Sequence, residues 1–305
     1  MILLRLGRLL AIALLTTGGA VHFSSRDAWQ PLAALFYALP LPVLAIGWFV
    51  VAVSWGKVGR CCLLCLVPAL GSGAWWLALT YREPGVATQA APGLKVLFWN
   101  LAHRKLPSED LEELLAARRP DIAAFVETGA RHGDPSPLTY TLPPGCTELQ
   151  MNHAMRLVVR GSAKVVRQEL LPGATKFAEV QAVVGDVLWR VFIVDGASFP
   201  TTPRGPALSH ILEMSRGHLR TLVLGDFNTP IESRHFVAWD LAFHHAEKEA
   251  GSGLRETWPR WLPVLTIDHV WSSPDAPPLR AEKLWFKTSD HAALWTELGV
   301  SRALR

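Results

Sequence analysis

Seven polar side chains stand at the ends of, or inside, short apolar runs that are typical of buried strands. The set comprises Asn100, Glu127, Asp226, Asn228, Asp268, Asp290 and His291. A carboxylate in such a place is costly unless it is paired, hydrated or bound to a metal ion. Gathered at one rim of a sheet sandwich, these oxygen ligands would suit Mg²⁺ or Mn²⁺, and a His–Asp pair would assist an attacking water. The pattern predicts metal-dependent hydrolysis of a phosphoester.

Each of these residues also has a plain structural explanation. Asn100 and Glu127 could simply end strands, and the Asp290-His291 pair could cap a turn. The stretch Gly225–Asn228, with the sequence Gly-Asp-Phe-Asn, is more specific. The order of the whole set along the chain therefore carries the prediction, rather than any single residue.

A sheet scaffold is needed to bring these residues together. Buried or alternating apolar runs predict strands near 95–100, 121–126, 155–160, 165–171, 178–184, 188–194, 221–224, 266–271, 280–286 and 292–296. Helices are predicted at 108–117, at 206–217 and from Pro230, and a Gly/Pro-rich loop at roughly 128–147. Strands outnumber helices, which favours an α/β (α+β) four-layer sandwich of two packed mixed β-sheets flanked by helices. His269 is predicted to point away from Asp268, because consecutive strand residues face opposite sides.

The N-terminal third, residues 1–82, is predicted to be a transmembrane region. Three uncharged apolar runs predict helices that span a membrane at about 5–25, 31–55 and 61–81. Pro40 and Pro42 predict a kink in the second span. In an alternative interpretation, the first run is a cleaved signal peptide with small residues at Gly18–Ala20.

The Lys and Arg residues beside these runs set the expected orientation. Arg5 and Arg8 precede the first run, and the loop 57–60 separates the second run from the third, so both are expected in the cytoplasm. Three crossings then predict a multi-pass integral protein of the cell inner membrane whose catalytic domain is extracytoplasmic. A Pro/Gly/Ala-rich linker is predicted at 83–93 and the soluble domain at 94–300.

The charge of the chain is unevenly placed. The 305 residues carry a net charge of +4, with a pI near 9.0 and a mean hydropathy of +0.21, values that exclude a disordered chain. Residues 1–92 hold six Lys/Arg and two Asp/Glu, so the remainder is neutral and has no global basic field for nucleic acid. Four Cys are too few for a disulfide scaffold, and the soluble domain has only Cys146, so no disulfide-linked partner is predicted.

The sequence resembles the endonuclease/exonuclease/phosphatase superfamily. The matching stretches are Phe98–Asn100, Asp121–Glu127, Gly225–Asn228, Ile267-Asp268 and Ser289–His291. They follow the family's order and span nearly all of the soluble domain. The apolar N-terminal third resembles that of membrane-anchored bacterial members.

The resemblance implies a role for each residue. The residues implied on the metal side are Glu127, Asn100 and Asp290. Asp226 would orient or activate the attacking water, and Asn228 would hold the phosphate or that aspartate. His291 would contact the scissile phosphate, with Asp268 holding its imidazole and favouring the protonated form. Hydrolysis would then be an in-line water attack without a covalent enzyme intermediate.

The sequence departs from the family's pattern in one place. Between the Glu and the Gly-Asp-Phe-Asn stretch, the family usually has a His or another phosphate-binding donor at a strand end, and here Asp195 follows Val191–Val194 instead. Asp195 could bind a second cation, pair with Arg204, or simply begin a turn. Ser198 or Arg204 could supply the missing donor to the substrate.

Two functions remain open from the sequence. The first is a membrane-anchored, divalent-metal-dependent phosphoesterase acting on a phosphodiester of nucleic acid, a lipid headgroup or a small phosphoester. Its expected partners are a phosphoester substrate and the lipid bilayer, and nucleic acid is not required. The alternative is a non-catalytic or weakly active membrane protein that binds phosphate on the same fold.

Overall fold

A computed structural model of the chain describes residues 2–56, 59–83, 93–103, 108–129 and 142–300. Most of the predicted linker, part of the loop 57–60 and most of the Gly/Pro-rich loop lie outside the described residues.

Four helices form the apolar N-terminal region. They are α1 (Ile2–Phe23), α2 (Gln30–Ala38), α3 (Leu41–Val53) and α4 (Arg60–Thr80). Among the described residues, α1 and α4 are each long and apolar enough to cross a membrane, and a third span exists if α2 and α3 count as one.

The predicted second span over 31–55 is not one kinked helix, because α2 and α3 meet at an angle of 71°. Pro40 lacks an N–H to donate and restricts the backbone of the residue before it, so α2 ends at Ala38 and α3 begins at Leu41. The 13 residues of α3 rise about 20 Å, which is less than the roughly 30 Å of a bilayer's hydrocarbon core.

Two six-stranded sheets follow within the described part of the chain. In chain order the strands are β1 (Leu94–Asn100), β2 (Ile122–Val126), β3 (Cys146–Met151), β4 (Met155–Arg160), β5 (Ser162–Leu171), β6 (Thr175–Val184), β7 (Val187–Asp195), β8 (Thr221–Asp226), β9 (His244–His245), β10 (Asp268–Ser272), β11 (Pro278–Leu284) and β12 (Ala293–Leu298). The first sheet has the order β11-β12-β1-β2-β4-β3 and the second the order β5-β6-β7-β8-β10-β9. Both sheets are mixed, because β1 and β2 are parallel, as are β7 and β8, while the other neighbours are antiparallel.

The described helices of this part of the chain are α5 (Ser108–Arg118), α6 (Gly205–Ser215), α7 (Val237–Ala242) and α8 (Ala246–Ala250). Helices α5, α6 and α7 cover the outer faces of the sheets, whereas α8 packs against β10 and β11 at the edge of the core between the sheets. Strand β1 shows how the layers arise: Val96 and Phe98 enter the core between the sheets, whereas Leu97 and Trp99 pack in the cluster that contains the leucines of α5. This alternation is the two-residue period of a strand that is covered on both faces. Another cluster joins α6 and α7 to the second sheet, and the predicted four-layer sandwich is thus confirmed.

Two of the described strands were not predicted, the two-residue β9 and the longer β3. Strand β3 overlaps the end of the predicted loop at 128–147, and it pairs with β4 at the edge of the first sheet. Its sequence Cys-Thr-Glu-Leu-Gln-Met lacks a buried apolar run, because an edge strand is only partly covered.

Candidate active site

Strand register places three acids side by side on the second sheet. Asp226 is the parallel partner of Asp195 on β7 and the antiparallel partner of Asp268 on β10. On the first sheet, Asn100 ends β1 opposite Val126, the residue before Glu127. The strand ends of both sheets therefore deliver the predicted residues to one rim of the sandwich.

Gly225 explains part of the Gly-Asp-Phe-Asn stretch. A Cβ atom at this position would lie 2.1 Å from the carbonyl oxygen of Val194, so only glycine lets β8 approach β7 this closely. Phe227 is buried in the cluster beneath α6 and α7, and Asn228 has a φ of +48°, which asparagine tolerates better than most residues. The motif therefore positions Asp226 through packing on either side of it.

Asp226 is held by hydrogen bonds from two asparagines. The side-chain amides of Asn100 and Asn228 donate to Oδ2 at 2.8 Å and 3.2 Å, and the backbone N–H of Asn228 donates to Oδ1 at 2.8 Å. Burial and then the neighbouring Asp268 carboxylate raise the pKa of Asp226 well above its usual value. The site thus contains a fixed carboxylate that is more basic than an exposed one.

His291 and Asp268 form the predicted pair. The His291 Nδ1 atom lies 3.1 Å and 3.0 Å from the two carboxylate oxygens of Asp268, and Nε2 lies 3.9 Å from Asp226 Oδ2. Burial alone would lower the pKa of His291, but the carboxylates of Asp268, Asp226 and Asp290, with Asp268 foremost, raise it to about 10. The imidazole is therefore protonated at neutral pH.

Ser289 fixes the backbone beside His291. Its hydroxyl donates to the carbonyl oxygen of Asn100 at 2.7 Å and accepts from the N–H of His291 at 3.0 Å. The indole of Trp99 donates to the carbonyl oxygen of His291 at 3.2 Å. The Ser-Asp-His stretch is thereby attached to the end of β1.

Glu127 and Asp290 have carboxylates that are less fully engaged. Glu127 has a φ of +53°, a left-handed conformation at the end of β2, and its Oε2 lies 3.5 Å from His103 Nε2. Burial and then the charge of Asp195 raise the pKa of Glu127. The indole of Trp258 donates to Asp290 Oδ2 at 3.0 Å, while the buried Oδ1 has no hydrogen-bond partner among the described residues.

The donor set fits a divalent cation. Asp226, Asp268 and His291 offer ligand atoms within 4.8 Å of one another, but Asp268 and His291 already bond to each other. The unpartnered Asp290 oxygen and the Glu127 carboxylate are the hard oxygen donors that Mg²⁺ and Mn²⁺ prefer. The Asn100 side-chain oxygen accepts the N–H of Ala102 at 2.8 Å, and the Asn100 amide faces Asp226.

Of the three alternatives for Asp195, the pairing with Arg204 is wrong. The Asp195 carboxylate binds Lys176 Nζ at 2.5 Å, because the β6–β7 hairpin pairs these two residues across its strands. Arg204 instead donates to the backbone carbonyl oxygens of Ala197 and Phe199. Its Nε is buried without a partner among the described residues.

A cavity of about 360 Å³ opens at this rim. The predicted residues that line it are Glu127, Asp226, Asn228, Asp290, His291, Ser198 and Arg204. The side chains of Asn100 and Asp268 support the lining residues through the hydrogen bonds described above. Asp195 pairs with Lys176, and the charge of Asp195 raises the pKa of Glu127.

Sequence reasoning missed Lys176, His103, Trp258 and Tyr37. Lys176 could have been found from the hairpin register, since the Gly185-Asp186 turn sets its pairing with Asp195. Tyr37 lies in α2 and also lines the cavity, and no sequence signal links it to the site.

His269 faces away from the site, as predicted. Its ring contacts the carbonyl oxygen of Thr229 and the ring of His245, and burial lowers its pKa to about 3.

The fold and the site together define a two-sheet sandwich that gathers buried acids and a protonated histidine around one cavity. The sequence model of the Endonuclease/Exonuclease/phosphatase family matches residues 97–291, and the chain belongs to this family. Members of the family are phosphoesterases and nucleases that depend on divalent metal ions.

Solved structures with the same fold are distant in sequence. The catalytic domain of human Nocturnin is 16% identical, with 72% of this chain and 100% of that chain covered and a TM-score of 0.50. A truncated TDP2 from Caenorhabditis elegans is 16% identical, with 68% of this chain and 98% of that chain covered and a TM-score of 0.51. An endonuclease/exonuclease/phosphatase from Beutenbergia cavernae is 16% identical, with 69% of this chain and 72% of that chain covered and a TM-score of 0.50. No curated protein sequence matches the chain.

Proposed function

We propose that the protein is a membrane-anchored phosphodiesterase that uses Mg²⁺ or Mn²⁺. The observation that carries the proposal is the network of Asp226, Asn228, His291 and Asp268, which opens on a cavity that also contains Glu127. A basic carboxylate and a protonated imidazole lie less than 4 Å apart. The carboxylate is suited to accept a proton from the attacking water, and the imidazole is suited to donate one to the leaving oxygen.

In this proposal, Asp226 orients the attacking water and accepts its proton. The water oxygen bonds to phosphorus while the bond from phosphorus to the leaving alcohol oxygen breaks, and the leaving oxygen takes a proton from His291 or solvent. Asp268 holds the imidazole in the protonated form that faces the phosphate. No bond forms between the enzyme and the phosphoryl group.

Glu127 and Asp290 would hold the cation. Asn100, whose side-chain oxygen accepts the N–H of Ala102, would hold Asp226 in place. A bound Mg²⁺ or Mn²⁺ would neutralise charge on a phosphoryl oxygen and on the leaving group. Arg204 and Ser198 line the same cavity and would supply donors to the phosphate.

Contacts at the two ends of the helices support anchoring by three crossings. At one end, Arg8 donates to the Ser54 hydroxyl at 2.9 Å and lies over the Trp55 ring. At the other end, Arg82 exchanges two backbone hydrogen bonds with Gly253 of the sandwich. With α2 and α3 counted as one crossing, the catalytic domain and the basic N-terminus lie on opposite sides of the membrane. The positive-inside rule puts the N-terminus in the cytoplasm, and the domain is then on the extracytoplasmic side of the inner membrane.

An alkaline phosphatase fusion at the C-terminus should be active, and an inactive fusion that is stably made would contradict this orientation.

Activity is tested on the purified full-length protein in detergent. We expect hydrolysis of bis-p-nitrophenyl phosphate with Mg²⁺ or Mn²⁺ and its loss with EDTA. Absence of metal-dependent turnover on diester, monoester, DNA and phospholipid substrates would overturn the enzyme proposal. Binding of inorganic phosphate without turnover would support the non-catalytic alternative.

A further inference from the structure

The apolar helices build part of the wall of the catalytic cavity. Tyr37 of α2 lines the cavity together with Asp226 and His291. The Tyr37 hydroxyl donates to Asp27 Oδ2 at 2.9 Å, and Asp27 Oδ1 accepts the N–H of Arg234 from the sandwich at 2.9 Å. The connection between α1 and α2 is thus bound to the catalytic domain beside its active site.

Further hydrogen bonds hold this connection in place. The Arg26 guanidinium donates to the carbonyl oxygen of Glu232 at 2.7 Å, and Gln30 donates to that of Thr201 at 2.8 Å. The Ser233 hydroxyl also donates to Asp27. The first turn of α2 therefore lies against the loop that contains Ser198 and Arg204.

Arg204 connects the helices to the phosphate-binding side of the cavity. Its guanidinium lies over the Tyr37 ring, 4.5 Å from the ring centroid, and the residue is only 5% exposed. Its hydrogen bonds to backbone carbonyls leave the buried Nε without a partner among the described residues. A buried guanidinium that lines the same cavity as Asp226 and His291, and whose Nε–H is unpaired among the described residues, is suited to a phosphate oxygen.

Large apolar side chains stand exposed on both sides of the cavity. Phe199 is 74% exposed on the loop that α2 contacts, and Trp261 is 77% exposed on the segment between Trp258 and Leu265, two residues that line the cavity. Trp29, which directly precedes α2, is 57% exposed. Exposed aromatic side chains beside membrane helices are typical of the bilayer interface. We call Trp29, Phe199 and Trp261 the aromatic rim.

The catalytic cavity also borders directly on the apolar helices. A smaller cavity between the helices and the sandwich is lined by Phe36, Leu41 and Trp76, and it shares Pro230 and Leu265 with the catalytic cavity. At about 20 Å³ it is far too small for a hydrocarbon chain. The hydrocarbon chain of such a substrate would therefore stay in the bilayer, and only the phosphate would enter the catalytic cavity.

From these contacts we infer that the substrate is a phosphodiester of a bilayer lipid. The inference rests on the proposed function and names its substrate class. The phosphate binds between Arg204 and the Asp226–His291 pair, the chain stays in the membrane beside α2, and the aromatic rim seats the domain on the bilayer. Water adds its oxygen to phosphorus, the bond from phosphorus to one ester oxygen breaks, and the two protons of water end on the released alcohol and on the site or solvent. Nucleic acid fits less well, because the domain is neutral overall and lacks the net basic charge that binds a polyanion.

The test uses the full-length protein in vesicles of phosphatidylglycerol and phosphatidylethanolamine. Mass spectrometry follows the two products of lipid hydrolysis, and bis-p-nitrophenyl phosphate is assayed in parallel. We expect metal-dependent lipid hydrolysis. The Phe199→Ser/Trp261→Ser double variant should lose about tenfold or more in lipid turnover, the scale of one large apolar side chain leaving its apolar contact, and should keep activity on the soluble diester.

Leu188→Ser is the matched control. Leu188 is 48% exposed and lies at the start of β7, at the opposite end of that strand from Asp195, so this substitution should leave both activities unchanged.

The Tyr37–Arg204 contact has its own pair of variants. Tyr37→Ala removes the ring beneath the guanidinium and should raise KM for the soluble diester about tenfold with a smaller change in kcat. Tyr37→Phe keeps the ring and should restore KM. Equal effects on KM and kcat in both variants would contradict the positioning role of Tyr37, provided that the thermal unfolding temperatures match.

The possible results separate the two proposals. If neither the lipids nor any soluble phosphoester are hydrolysed, the proposed function fails. If the soluble diester is hydrolysed but the lipids are not, the lipid inference alone is overturned. It is also overturned if DNA is the faster substrate or if the rim variant lowers both activities equally.

Discussion

The two sheets deliver acids to the same cavity in different states of pairing. On the second sheet, Asp226 accepts hydrogen bonds from two asparagines, and Asp268 bonds to the imidazole of His291. On the side of the first sheet, the contact that the described residues show for the Glu127 carboxylate is one of 3.5 Å with His103. One oxygen of Asp290 has no hydrogen-bond partner among those residues. The fold has thus fixed the groups that would move protons, and it has left open the groups that would hold a cation.

This difference predicts different kinds of loss. We call Asp226, Asp268 and His291 the paired side of the site, and Glu127 and Asp290 the open side. A substitution on the paired side should damage the chemical step even at saturating metal. A substitution on the open side should first change the metal requirement.

Asp226→Asn should lower kcat/KM for bis-p-nitrophenyl phosphate by about 10³-fold, the scale of losing a positioned general base. The amide cannot accept the water's proton, and it presents N–H groups toward the amides of Asn100 and Asn228. The loss should persist at saturating Mg²⁺ or Mn²⁺. Asp240→Asn, an exposed change on α7 that removes only a contact with Lys248, is the control. Rescue of Asp226→Asn by excess metal would contradict the division between the two sides.

Asp268→Asn should lower activity by about 10²-fold and move the pH profile. Burial lowers the pKa of His291 and the Asp268 carboxylate raises it, to about 10 in the native protein. The wild-type enzyme should therefore lose the imidazolium only as the pH rises toward 10. Without the Asp268 carboxylate the pKa of His291 falls, so the alkaline loss of activity should begin at a lower pH than in the wild-type enzyme. The pH dependence of kcat/KM between pH 6 and 10 measures this shift, and an unchanged alkaline limb would show that Asp268 does not hold the proton on His291.

The paired side was also the more predictable side from sequence. Asp226, Asp268 and His291 stand at the ends of buried apolar runs, and neighbouring strand ends share one edge of a sheet, so their meeting follows from local pattern. Gly225 is explained in the same way, because β7 and β8 run in contact.

The remaining features depend on register and on contacts between distant parts of the chain. Asp195 meets Lys176 because of the hairpin turn at Gly185-Asp186, and without that register Arg204 was an equally plausible partner. Tyr37 reaches Arg204 only because the connection between α1 and α2 docks on the sandwich. No periodicity in either segment encodes such a contact.

Glu127→Gln should raise the concentration of Mg²⁺ or Mn²⁺ needed for half-maximal activity by about 10–100-fold, the range seen when the environment of a metal site is damaged. At saturating metal, kcat should recover most of its value, because Asp226, His291 and Asp268 are untouched. Glu213→Gln on α6 removes an exposed carboxylate that pairs with Arg216, and it should leave the metal requirement unchanged. If Glu127→Gln lowers activity with an unchanged metal requirement, Glu127 belongs with the paired side.

Trp258→Phe should have the smallest effect and gives the finest test. The substitution keeps an aromatic ring in the cavity wall but removes the N–H that donates to Asp290 Oδ2 at 3.0 Å. A hydrogen bond to a charged group contributes roughly 1.5–3 kcal/mol. Asp290 would still be free to bind the cation, so only part of this hydrogen-bond free energy should be lost. The expected result is a loss of about two- to tenfold in metal affinity. Trp285→Phe at a partly exposed site is the control. A larger effect on kcat than on the metal requirement would mean that Trp258 orients Asp290 for the chemical step, and Asp290 would then join the paired side of the site.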